Sequence, residues 1–219
     1  MAGAPQAGAD PRSRNALMLT SMGLVSWLLG LFWYGLPGMG LRGKRALYAG
    51  IGFATLAWLV VLVVRFILIA SAGITNAGAG RTFFYLLLFE SFCVQLWAFG
   101  LLFRSVVDWR GPLTGVLAAG VAFGLCGWFI FGEAVVASAD AILFFILWGF
   151  LYGLIRLRAG SLLGIVVIQA LQTFTTWHIL TPRIPANAAQ YGQFYLVSSL
   201  LFVILIWRLW PKRKEDYRV

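Results

Sequence analysis

Seven apolar runs separated by short polar or basic breaks divide the chain, at about residues 16–36, 47–69, 83–103, 113–131, 139–155, 161–180 and 192–210. A helix needs about 20 apolar residues to cross a hydrocarbon core of about 30 Å. The pattern therefore predicts seven membrane-spanning helices. Prolines and glycines mark the breaks. Pro37-Gly38 ends the first run, and Pro182 and Pro185 end the sixth. Gly111-Pro112 opens the fourth, where the missing proline N–H costs little. Only Arg156-Leu157-Arg158-Ala159-Gly160 separates the fifth run from the sixth, within residues 144–177. That link is too short to do anything but reverse direction, so the two helices are expected to be antiparallel neighbours. The sixth run also carries Gln169, Gln172, Thr173, Thr175 and Thr176. Hydrocarbon would penalise these polar groups unless they face protein.

A chain that is 61% hydrophobic and 11% charged cannot be a soluble domain of 219 residues. The expected fold is an all-α, polytopic transmembrane bundle over residues 16–210. A polar tail, 1–15, precedes it and a basic tail, 211–219, follows. The first tail has no apolar core and is expected to be disordered in isolation. The run behind it is too long for a signal peptide and lacks a clear cleavage site.

The formal net charge of +10 does not indicate a nucleic-acid partner, because the basic residues sit in loops and tails. With the N-terminus outside, 12 of the 17 basic residues fall on the cytoplasmic side: Arg42, Lys44, Arg45, Arg104, Arg110, Arg156, Arg158, Arg208, Lys212, Arg213, Lys214 and Arg218. Arg12, Arg14, Arg81 and Arg183 stay outside, with the loop that carries Glu133 and Asp140. The bias predicts an N-out, C-in protein of the bacterial inner membrane.

Candidate chemistry is sparse. Glu90 lies well inside the third run, where an ionisable group needs a partner, and Arg65 of the second run, an antiparallel neighbour by connection, is the obvious one because both lie toward the outer side. The reading is a structural ion pair between them. His178 stands alone at the outer end of the sixth run and is read as a polar anchor, with a ligand role to a metal or tetrapyrrole as the alternative. Cys93 and Cys126 lie inside apolar runs and read as packing. None of the three lysines lies inside a run, which excludes a retinal Schiff base. Gly120/Gly124 and Gly149/Gly153 are small residues at a spacing that lets a neighbouring helix approach closely.

Three segments carry a resemblance to a known family. They are GLLFRSVVDWRGPLTGVLAAGVAFGL, the start Phe123-Gly124-Leu125, and WGFLYGLIRLRAGSLLGIVVIQAL. Over roughly residues 95–176 the chain resembles the CPBP membrane proteins, the group of CAAX prenyl proteases and bacteriocin-processing enzymes. The resemblance implies a CPBP-like core in the third to sixth spans. It also implies water activation for peptide hydrolysis, often with a metal, by the motifs EExxxR, FxxxH and HxxxN or HxxxD. This chain departs from those motifs. The acidic pair falls on Phe99 and Gly100, the first histidine on Gly127, the second on Gln169, and the Asn or Asp on Thr173. Only Arg104 and Phe123 match. Glu90 and His178 are each nine residues from the motif position they would have to replace, Phe99 and Gln169, which an α-helix makes about 13 Å.

The expectation is therefore a non-catalytic member of that group with no catalytic residue, metal or cofactor. It would serve as an accessory subunit or assembly factor beside other integral membrane subunits and membrane lipids. Bound lipids are expected, while no sequence feature supports a pigment or haem contact. The alternatives are an intramembrane CAAX-type metal-dependent protease with a displaced active site, and a protein that handles lipids or small molecules.

Overall fold

The structure, a computed structural model, describes residues 11–69, 71–74, 79–131, 138–182 and 187–218. The side chains of 11–16, 71–79, 129–131, 177–182 and 214 lie outside that description. Among the described residues seven helices form one bundle. They are α1 (Pro11–Gly38), α2 (Arg45–Ile69), a long composite α3, α4 (Pro112–Phe131), α5 (Ala139–Ala159), α6 (Leu163–Thr173) and α7 (Ala188–Leu209). Two short strands, β1 (Ser71–Ile74) and β2 (Leu180–Pro182), pair antiparallel.

Five of the helices are long and apolar enough to cross a membrane, which makes this an integral membrane protein. Among the described residues two further apolar helical stretches, Pro112–Trp128 of α4 and Leu163–Thr176 of α6 and its extension, account for the remaining two of the seven expected runs.

The helix ends follow local chemistry. Pro11 is the first described residue of α1. Helical backbone thus covers 11–15 of the expected disordered tail, of which residues 1–10 lie outside the description. At the other end of α1 the backbone breaks at Gly35 (φ 64°, ψ 172°) before Pro37. The Ser138 side chain caps α5, and Gly160, left-handed at φ 73°, closes it. Asn187 and Gln190 form a reciprocal capping box on α7.

Composite α3 is wound unusually. It starts as an α-helix over Ala79–Tyr85, passes through π-helical stretches at Leu86–Cys93 and Leu96–Leu102, and ends as an α-helix over Phe103–Arg110. A further π stretch, Phe174–Ile179, extends α6.

Glycines set the helix pairings. A side chain on Gly149 would run into the backbone of Gly120, and one on Gly124 into Ile146, so α4 and α5 cross in close contact. Gly164 lies likewise against the backbone of Gly50 and Ile51, which draws α6 onto α2.

That second crossing corrects an expectation. The chain does reverse after α5, but α6 packs mainly on α2 and α3 and hardly touches α5. The basic link is also not a loop: α5 continues through Ala159, which places Arg156 and Arg158 in its last turn. Cations suit that position because the carbonyl end of a helix is negative.

Alternation puts the ends of α1, α3, α5 and α7 together with the starts of α2, α4 and α6. Cross-links tie this end. Ser161 Oγ donates to the Arg42 carbonyl at 2.6 Å, and Leu162 N–H to the Gly40 carbonyl at 2.9 Å. The C-terminal segment folds back onto it as well. Arg158 pairs with Asp216 at 3.0 Å, and Arg218 N–H donates to the Leu157 carbonyl at 2.9 Å. The expected basic tail is therefore a docked segment through residue 218.

Candidate functional site

Helices α3, α4, α5 and α6 converge on a small cavity beside Glu90, Phe123, Gly127, Trp148 and Gln169. It has room for about one water molecule. Four positions matched to the family motifs gather here. Phe123, Gly127 and Gln169 line the cavity, and Phe99 packs on Phe123 with ring centroids 5.6 Å apart. Gly100, the other half of the matched acidic pair, faces away toward Met39, Leu96 and Leu162. Arg104 is remote, paired with Asp108 at 3.0 Å at the basic end. Thr173 is buried on α6 but does not line the cavity. The side chain of His178 lies outside the described residues.

Glu90 sits where the sequence reading did not place it. In an α-helix of 3.6 residues per turn, nine residues make two and a half turns, so Glu90 and Phe99 would face opposite ways. The π-type i→i+5 bonding of this segment gives about four and a half residues per turn, and nine residues then make about two full turns. Glu90, Val94 and Phe99 thereby all face α4 and α5. Glu90 lies further along that face than Phe99, and Gly127 lies further along antiparallel α4 than Phe123, so the two meet.

The Arg65–Glu90 ion pair is not made. Glu90 Oε2 is buried with no hydrogen-bond partner, and the Arg65 guanidinium lies beside Tyr191 and Tyr195 of α7. The cause is the packing order. Because α6 occupies the flank of α2, the second and third helices are not the lateral neighbours their connection suggested.

The remaining walls are aromatic and amide. Phe123 touches Trp148 and Tyr152 at centroid separations of 5.8 and 5.7 Å, and Trp148 stacks on Phe145. Gln95 Nε2 donates to Gln169 Oε1, and Tyr152 donates to Gln172 Oε1 at 3.2 Å. Trp58 Nε1 donates to Thr175 Oγ1 at 2.9 Å. The structure thus buries the polar face of α6 against protein: Gln169, Gln172, Thr173 and Thr176 are each at most 6% exposed. Gln95 was not singled out in the sequence, although an amide inside an apolar run is itself a signal for a buried partner.

One carboxyl, two amides and the Trp148 N–H border the cavity region. A carboxylate beside a single water can accept a proton, but no second acid or base lines the cavity to protonate a leaving group. A metal would find one carboxylate and an amide, which is not a zinc ligand set, so the residues present do not fit one. Among the described residues no three His, Cys, Asp or Glu side chains gather elsewhere. Comparison with family models, curated proteins and solved structures finds no match to this chain.

Proposed function

We propose that this chain is a non-catalytic membrane protein built on a CPBP-like arrangement, and that it acts by contact. In this reading it is a structural or accessory subunit, or an assembly factor, of a larger complex in the bacterial inner membrane. The observation that carries the proposal is what fills the meeting point of the motif-matched positions. Phe99, Phe123, Trp148 and Tyr152 pack ring against ring there, Gly127 brings no side chain, and Gln169 is tied to Gln95. Such a cluster rigidifies a bundle and supplies no acid–base pair. The lipid-facing sides of the helices and the tails remain for partners.

A second reading has one observation in its favour. Glu90 borders the same cavity, so a protease with a displaced active site would use its carboxylate. Reconstituted protein assayed with prenylated and unprenylated peptides, with and without zinc, separates the two readings. The expected result is no cleavage, together with stoichiometric membrane partners after gentle detergent extraction. Cleavage abolished by Glu90→Ala would establish the second reading instead.

A further inference from the structure

Arg156 is wholly buried at the basic end of the bundle. Its Nη2 donates to the Gly38 carbonyl at 3.3 Å, while Nε and Nη1 have no partner. The guanidinium stacks over Phe103 at 5.4 Å. It also lies against Gly40, which takes a left-handed backbone (φ 82°) and has no Cβ; any side chain there would occupy the guanidinium's place. The charged neighbours of Arg156 are Arg42 and Arg104, both cationic. Among the described residues the ion pairs are Arg104–Asp108 and Arg158–Asp216, so no carboxylate accompanies Arg156. The contrast with Arg158 is direct. Two residues on, that arginine receives a carboxylate from the C-terminal segment, and Arg156 receives none.

A buried cation with unused donors is costly unless an anion joins it. Arg104 supplies a second such edge: its Nε is buried without a partner, and its ring neighbour is Tyr34, at 6.0 Å. The Tyr34 hydroxyl meets Ser105 Oγ at 3.1 Å beside it. The Arg104 side chain is 26% exposed, so the cluster reaches the surface there, at the level where the helices end.

We propose that Arg156 and Arg104 bind a phosphate group at this end, carried by an anionic phospholipid or free in solution. The unpartnered donors, Nε and Nη1 of Arg156 and Nε of Arg104, call for an anion with several acceptor oxygens, which a phosphate has and a chloride or a lone water has not. The glycine-containing turn Gly38–Met39–Gly40 closes the site from α1, and the start of α6 holds that turn through Leu162. The proposal is independent of whether the protein is catalytic.

The test is a thermal-stability titration of delipidated protein in mild neutral detergent. The ligands are short-chain phosphatidylglycerol, short-chain phosphatidylcholine and sodium phosphate. Saturable stabilisation by phosphatidylglycerol but not phosphatidylcholine is expected and assigns the site to a lipid headgroup. Stabilisation by sodium phosphate at the same concentrations assigns it to free phosphate. Arg104→Gln should raise the half-maximal concentration about tenfold, the loss of roughly one charge-assisted contact. Arg208→Gln, an exposed arginine at the same end, should leave it unchanged. Equal stabilisation by phosphatidylcholine, no stabilisation by any ligand, or an unchanged midpoint in Arg104→Gln would overturn the proposal. Because Arg104 sits at the rim, that variant stays informative even if Arg156→Gln fails to fold.

Discussion

Glu90 and Gly149 show how far single residues depend on their surroundings. Glu90 Oε2 is buried without a partner, and Arg65 is engaged on a different helix face. Replacing Glu90 with Gln removes a carboxyl that makes no ion pair, so stability should hold or rise. Combining Glu90→Gln with Arg65→Gln should give the sum of the single effects to within about 0.5 kcal/mol. A coupling of about 3–5 kcal/mol, the scale for breaking a buried pair, would put the two residues back in contact. At Gly149 the effect has the opposite sign. Its α-carbon lies against the Gly120 backbone, and Gly149→Ala should cost about 1–3 kcal/mol by forcing α4 and α5 apart. Gly52, also helical, has nothing within 4 Å of where a Cβ would lie. Gly52→Ala should therefore be neutral or stabilising by up to about 1 kcal/mol. Thermal unfolding of both variants in one detergent checks the pair. Gly120, Gly124, Gly149 and Gly153 could be picked out in the sequence by spacing alone, because close approach needs small residues at i and i+4. The environment of Glu90 could not, because its direction depends on the π winding of the helix that carries it.

At the scale of elements, existence was readable and pairing was not. Each apolar run became a helix, with ends moved by a few residues at Ala159 and Asn187. Apart from the sixth, whose polar face marks its protein side, the runs are apolar all round, so no stripe announces which face meets which neighbour. Connection length was therefore the only guide, and it misled twice: α5 and α6 diverge after their turn, and α2 pairs with α6 rather than α3. Gly50 and Gly164, which fix the α2–α6 crossing, lie more than a hundred residues apart, so no local spacing rule could join them. The candidate cavity shared this fate, since it draws on four helices. The C-terminal segment was another element that composition misjudged. Its basic residues suggested a free tail, but the Asp216 carboxylate accepts from the backbone N–H groups of Lys212 and Arg213 and pairs with Arg158. Those N–H groups first, and then the arginines, hold its pKa below the usual aspartate value. A depressed carboxylate stabilises above its unfolded pKa and loses that contribution as pH falls through the folded one. Docking should therefore be intact at neutral pH and released only below the ordinary aspartate range. Asp216→Asn should release it at neutral pH, read as faster carboxypeptidase trimming of the C-terminus. Trimming as slow as that of the parent chain would mean that the backbone bond from Arg218 to Leu157 suffices.

For the molecule as a whole, charge is sorted by end. The basic end gathers 12 basic residues against Asp108, Glu215 and Asp216. The orientation this implies is a prediction with a direct check. Single cysteines introduced at Lys44 and Lys212 should both be labelled from the cytoplasmic side in inverted vesicles and be protected in intact cells. Labelling from opposite sides would mean that an odd number of helices fails to cross between them. The order of the chain also has a consequence for biosynthesis. The flank of α2 that holds Gly50 and Arg65 is completed by α6 and α7, which begin about ninety and more than a hundred residues after α2 ends. At 5–20 residues per second, the first half waits about 5–20 s in the membrane before α6 exists. Until then α2 presents a buried-type arginine and a bare glycine notch to lipid or to whatever insertase holds it. Nascent chains that stop before α6 should accordingly be substrates for membrane quality-control proteolysis, because without α6 the groove on α2 has nothing to fill it.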